Sequence, residues 1–129
     1  MKHPDEFRIL LVDDDPAVRM VTEATLTVLG EFTVTAVDGG DKAIEMCRTD
    51  SFDLILIDVM MPNLDGPATI RQLKSAGLLR STPFVFLTAK VQEDARHSLM
   101  TTGAIGVLAK PFDPTELVST IDGLIGVTR

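Results

Sequence analysis

Side chains that could share one reaction stand at four places along this chain. They are the run Asp13-Asp14-Asp15, Asp58 behind the apolar Leu54-Ile55-Leu56-Ile57, Thr88 behind Phe84-Val85-Phe86-Leu87, and Lys110 before Pro111. Each follows an apolar run, and that shared position implies that they meet. Two or three carboxylates within about 5 Å repel one another by roughly 3 kcal/mol per pair at an effective dielectric near 20, so something cationic belongs between them. A hard divalent ion fits: Mg²⁺ takes carboxylate, carbonyl and water oxygens, and keeps room for a phosphoryl oxygen. A Lys ammonium and a Thr hydroxyl beside such an ion complete what phosphoryl transfer needs, namely neutralised equatorial oxygens and an oriented nucleophile. Asp58 would be that nucleophile, since carboxylates serve as phosphoryl acceptors.

The elements that must position these residues alternate short apolar runs with amphipathic stretches, the pattern of βαβ units around a parallel sheet. Phe7 to Val12 is too short for a stable helix and reads as a buried strand. Asp15 then serves as an N-cap and Pro16 as the first helical residue, with Val18, Val21, Ala24 and Val28 as the apolar face up to Gly30. Phe32 to Val37 is a second strand, and Asp41 to Thr49 a second helix with Ala43, Ile44 and Cys47 on one face. Leu54 to Ile57 is apolar on both faces and therefore central. Pro62, Asn63 and Asp65-Gly66 are loop chemistry before a helix from about Pro67 to Ala76. Pro83 to Leu87 is the fourth strand, and Val91, Ala95 and Leu99 stack on a fourth helix that stops at Gly103. Ala104 to Ala109 is the fifth strand. The last helix opens with Asp113-Pro114-Thr115-Glu116 and carries Leu117, Ile121, Leu124 and Ile125.

Composition sets the outer limits. The 129 residues, 45% hydrophobic and 24% charged, suit one globular domain and argue against disorder. No apolar run approaches the ~20 residues that span a bilayer, and the polar N-terminus has no apolar segment of a secretory signal, so a cytoplasmic location without membrane insertion is expected. A net charge of −7 disfavours direct nucleic-acid binding. Cys47 cannot form an internal disulfide and reads as a small buried hydrophobe. Asp15 needs no role beyond capping. His3 and His97 fall outside every motif.

These residues together resemble the receiver domain of bacterial two-component response regulators. The matching motifs are Ile9-Leu10-Leu11-Val12-Asp13-Asp14-Asp15, Leu54 to Pro62 with Asp65-Gly66, Leu87-Thr88-Ala89 and Lys110-Pro111-Phe112. Spacings of 44, 30 and 22 residues separate Asp14, Asp58, Thr88 and Lys110. The resemblance implies a doubly wound, flavodoxin-like (βα)5 fold of the α/β class, with five parallel strands in the order 2-1-3-4-5. It implies that Asp58 is the phosphoacceptor, that Asp13, Asp14, Asp58 and the backbone carbonyl of Met60 hold Mg²⁺, and that Thr88 and Lys110 contact phosphoryl oxygens. It further implies a cis bond before Pro111, and places Met60 and Lys90 at the border of the site.

The expected function is therefore that of a regulatory domain, catalysing only its own phosphorylation and dephosphorylation, with residues 1–129 as a single receiver, a core of about 7–126 and no effector domain. Its expected partners are a sensor histidine kinase or a histidine phosphotransfer protein, and a downstream protein met by the face of the fourth helix, fifth strand and fifth helix; a homodimer stays open. One position departs from the family pattern. Val107, three residues before Lys110, stands where many receivers carry an aromatic switch residue, so signalling is expected to run mainly through Thr88 and the start of the fourth helix. Other readings fit less well. A phosphatase resembling the haloacid dehalogenase family would need an Asp where Met60 stands, and a degenerate dimerisation module would have lost Asp14, Asp58 or Lys110. A flavodoxin would have a Ser, Thr and Gly-rich first loop, and a P-loop protein would show G-x-x-x-x-G-K-[ST].

Overall fold

Five short runs rich in Ile, Leu, Val and Phe pair side by side, all parallel: β1 (Arg8–Val12), β2 (Thr33–Val37), β3 (Leu54–Asp58), β4 (Phe84–Thr88) and β5 (Gly106–Ala109). In this computed structural model, which describes residues 3–89 and 92–127, the strand order is β2-β1-β3-β4-β5. Lys90 and Val91, assigned above to the site border and the fourth helix, lie outside the described residues. The fold is the expected flavodoxin-like arrangement. β3 is central, and all five of its residues are buried, as its two-sided apolar sequence requires.

Five α-helices connect and cover the strands: α1 (Pro16–Ala24), α2 (Gly40–Thr49), α3 (Gly66–Ser75), α4 (Glu93–Met100) and α5 (Pro114–Ile125). Side chains alternate across each strand, so the sheet divides the core in two. On one face Leu10, Val12, Ile55, Ile57 and Phe86 pack against Ala43 and Cys47 of α2 and Ile70 and Leu73 of α3. On the other, Ile9, Leu11, Leu56, Val85 and Leu87 pack against Leu26, Leu117 and Ile121. Each such side chain contributes about 1.5–3 kcal/mol on burial. Cys47 sits in the first cluster as expected, and burial pushes its thiol above the ordinary range.

Capping sets where the helices begin. Asp15 accepts from the amides of Ala17 and Val18, Asp65 from Ala68, and Asp113 from Thr115 and Glu116, each followed by Pro within the first two helical positions. The strand and helix boundaries lie close to those read from sequence, with the fifth strand two residues shorter at its start.

The buried face of α1 differs from the expected one. Val21, Ala24 and Val28 are exposed, along with Met20, while Thr22, Thr25 and Leu26 are buried. The hydroxyls of Thr22 and Thr25 donate back to the Val18 and Val21 carbonyls at 2.7 and 2.8 Å, so each threonine enters the core with its polar atom already satisfied. The helix then ends in a wider π-turn over Thr25–Leu29.

Candidate functional site

A parallel sheet delivers the carboxyl ends of its strands to one edge, where ligands of such folds bind. Val12 pairs with Ile57, so Asp13 and Asp58 stand on the next rung as neighbours on adjacent strands. Thr88 pairs with Ala109, and the Lys110 amide donates to the Thr88 carbonyl at 2.7 Å. Asp13, Asp14 and Asp58 each place a carboxylate oxygen within 4.8 Å of the others. The Lys110 side chain reaches over this edge, its Nζ lying 3.1 Å from Asp13 Oδ2 and 3.3 Å from Asp58 Oδ2. The structure thus brings together all the expected side chains of the acidic cluster and its cation. The Lys110-Pro111 bond is cis, as expected.

The surroundings hold these groups in place. Asp13 is fully buried; its Oδ1 accepts from the Asp15 amide at 3.0 Å, and its carbonyl accepts from the Arg19 guanidinium at 2.8 Å. Asp58 is 6% exposed and Asp14 half-buried, so the cluster opens to solvent on the Asp14 side. Gly66 packs against the backbone of Asp58, and a Cβ there would run into the Asp58 carbonyl. Its amide donates to the Val59 carbonyl at 2.9 Å, which ties α3 to the end of β3. Arg19 was not foreseen as a support of the site: a cation one turn into a helix carries no sequence signal for reaching back to a strand-end carbonyl. The Met60 side chain is 75% exposed at the rim, so only its backbone remains a candidate for the site. Beyond it, a cavity of about 570 Å³ separates Asp58, Thr88 and Lys110 from Ala95 and Leu99 of α4.

The charges balance unevenly, with three carboxylates against one ammonium. Burial pushes the Asp58 carboxyl above the usual range and the charge of Asp13 adds to this, while Lys110 and the Met60 amide pull the other way without cancelling it. Burial pulls Lys110 down, but its hydrogen bond to Asp13 and the attraction of both carboxylates outweigh that and leave it above its usual range. Such an acidic set of oxygen donors, partly open to water, fits a hard divalent cation.

Asp58→Asn keeps the shape of the side chain and removes the charge whose burial is unfavourable, leaving Lys110 paired with Asp13. In metal-free buffer near neutral pH the variant should melt roughly 3–6 °C higher, equivalent to about 1 kcal/mol in a domain of this size. Because the folded pKa of Asp58 is raised, acid protonates it first in the folded chain, so this advantage should shrink as the pH falls through that value. Calorimetry or circular dichroism would read it, since the chain has neither Trp nor Tyr. A variant that melts lower than wild type would contradict the charge balance described.

Fold and site together define a signalling receiver, and sequence comparison agrees. The chain belongs to the response regulator receiver domain family, whose model matches residues 9–122. It is 39% identical over 122 residues to the response regulator MprA of Mycobacterium ulcerans (strain Agy99), a match covering 95% of this chain and 51% of that protein. The chain spans about half the length of the curated relatives it matches. Among solved structures it is similar to the chemotaxis protein CheY4 of Vibrio cholerae, with a TM-score of 0.84 and 28% identity over 92% of this chain and 98% of that one. It is also similar to the receiver domain of the sensor histidine kinase PA1611 of Pseudomonas aeruginosa PAO1, with a TM-score of 0.82 and 35% identity over 93% and 98%. That domain was solved with a magnesium ion coordinated in its active site cleft. Among the described residues no helix is long and apolar enough to cross a membrane.

Proposed function

We propose that this receiver accepts a phosphoryl group on Asp58 from a phosphohistidine of a sensor histidine kinase or a histidine phosphotransfer protein, in the cytoplasm. The observation that carries this reading is the cluster itself: Asp13, Asp14 and Asp58 share one small volume at the strand ends, with Lys110 bridging two of them. A carboxylate oxygen of Asp58 attacks phosphorus, the P–N bond to the donor imidazole breaks, and the imidazole leaves with the bond's electron pair. Asp13, Asp14, Asp58 and the Met60 carbonyl would hold Mg²⁺, which when bound neutralises charge on the phosphoryl oxygens. Lys110 starts on the Asp13 and Asp58 carboxylates and moves its ammonium onto a phosphoryl oxygen. Thr88 offers its hydroxyl to another.

The product is a regulatory state. Reorganising Thr88 and Lys110 alters the ends of β4 and β5, and through them the face formed by α4, β5 and α5, which meets a downstream protein. A coupling of about 1–3 kcal/mol between site and face is typical of such devices. The acidic chain is not a direct nucleic-acid binder in this reading.

Incubation with acetyl phosphate, followed by intact-mass measurement, tests it. One phosphoryl adduct per chain is expected in Mg²⁺, none after chelation and none in Asp58→Ala. An adduct of equal yield in chelator, or in the variant, would refute the proposed acceptor chemistry.

A further inference from the structure

α4 is held to the rest of the molecule unlike any other helix. Among the described residues it is the one α-helix that buries no side chain, and Leu99 is its half-buried contact with the core. Two cations moor it instead. The Lys74 ammonium of α3, stacked 5.6 Å from the centre of the Phe84 ring, donates to the Thr102 carbonyl just beyond the end of α4. Near the start of the helix, Arg96 Nη1 donates at 3.1 Å to the carbonyl of Val107 in β5.

The second mooring is placed to matter. Val107 lies in β5 three residues before Lys110, which directly follows the strand's last residue, and α4 begins five residues after Thr88. Arg96 therefore links the helix that follows one site residue to the strand that leads into another. An element with little apolar burial and only two polar hooks has few ways to resist displacement, and losing the one to β5 should loosen it.

The geometry points to Arg96 as a positioning residue that restrains α4 in the unphosphorylated chain and so sets how readily Asp58 is phosphorylated. This rests on the phosphoacceptor reading above. A restraint present before phosphorylation and loosened after it opposes the reaction, so its removal favours the product state.

Two measurements on Arg96→Ala test this, with Arg96→Lys as the variant that keeps a cation able to reach the carbonyl. Amide hydrogen exchange over residues 93–101 of the unphosphorylated chain should rise about three- to tenfold in Arg96→Ala, with α2, α3 and α5 unchanged. Its labelling by acetyl phosphate in Mg²⁺ should be about threefold or more faster than wild type, and Arg96→Lys should return both values toward wild type. Exchange in α4 identical to wild type overturns the mooring. Faster exchange with an unchanged labelling rate overturns its link to the site. A wild-type chain that takes no phosphoryl group overturns the phosphoacceptor reading, and the link with it, while the exchange data still show whether the mooring exists.

Discussion

Lys110→Ala is expected to destabilise the chain by about 2–4 kcal/mol in metal-free buffer, a fall of roughly 10 °C in melting temperature. The substitution leaves three clustered carboxylates, two of them buried, without the ammonium that now bridges Asp13 and Asp58. Removing one partner of a buried pair costs more than the pair's own net worth, because the remaining charge keeps its desolvation penalty. Mg²⁺ should restore much of the loss by supplying another cation. The pH dependence carries a separate signature. Lys110 has a folded pKa above its unfolded value of 10.5, so its contribution is fully present below that value and disappears as the pH climbs through the raised one. Wild type should therefore lose stability there, and the variant should lose correspondingly less. Melting curves with chelator, with Mg²⁺ and across alkaline pH decide the matter; equal stability of the two proteins in chelator would contradict the bridging role.

The second large effect concerns the metal. Asp13→Asn and Asp14→Asn should each weaken Mg²⁺ binding by about tenfold or more, since a hard cation with mainly oxygen ligands depends on the number of charged donors. Lys110→Ala should do the reverse and tighten binding, because Lys110 Nζ now competes for Asp13 Oδ2 and Asp58 Oδ2. Titration calorimetry of the three variants reads both directions in one experiment. Unchanged Mg²⁺ affinity in Asp14→Asn would remove that residue from the ligand set.

The site was largely legible in the sequence because a parallel sheet sorts residues by position: whatever follows an apolar strand lands at one edge. Asp13, Asp58, Thr88 and Lys110 each follow such a run, so their convergence could be inferred without knowing any distance. Strand burial was legible for a similar reason, since Leu54-Ile55-Leu56-Ile57 has no polar side to offer water. Helix starts were legible from Asp-Pro and Asp-Gly-Pro at three of them, where the side chain and the ring both suit a first turn.

What escaped the sequence was chemistry that depends on which surface a helix turns inward. Val18, Val21, Ala24 and Val28 were read as the apolar face of the first helix, yet Thr22 and Thr25 satisfy their hydroxyls on carbonyls one turn back and pack inward. Ala95 was read as part of a packed stack on the fourth helix but is exposed, and α4 depends on polar moorings that no periodicity reveals. The same holds for Arg19 and Arg96, whose long side chains reach backbone carbonyls six and eleven residues away in sequence. Backbone acceptors carry no residue identity, so such contacts leave no trace in composition or spacing.

The claim that most needs testing is that Asp58, rather than either neighbouring carboxylate, carries the phosphoryl group. Reduction of the acetyl phosphate-treated chain with borohydride converts an aspartyl phosphate to homoserine, which survives proteolysis and can be placed by mass spectrometry of the peptides. The account predicts conversion at position 58 alone, dependent on Mg²⁺. Conversion at Asp13 or Asp14, with Asp58 unmodified, would contradict it.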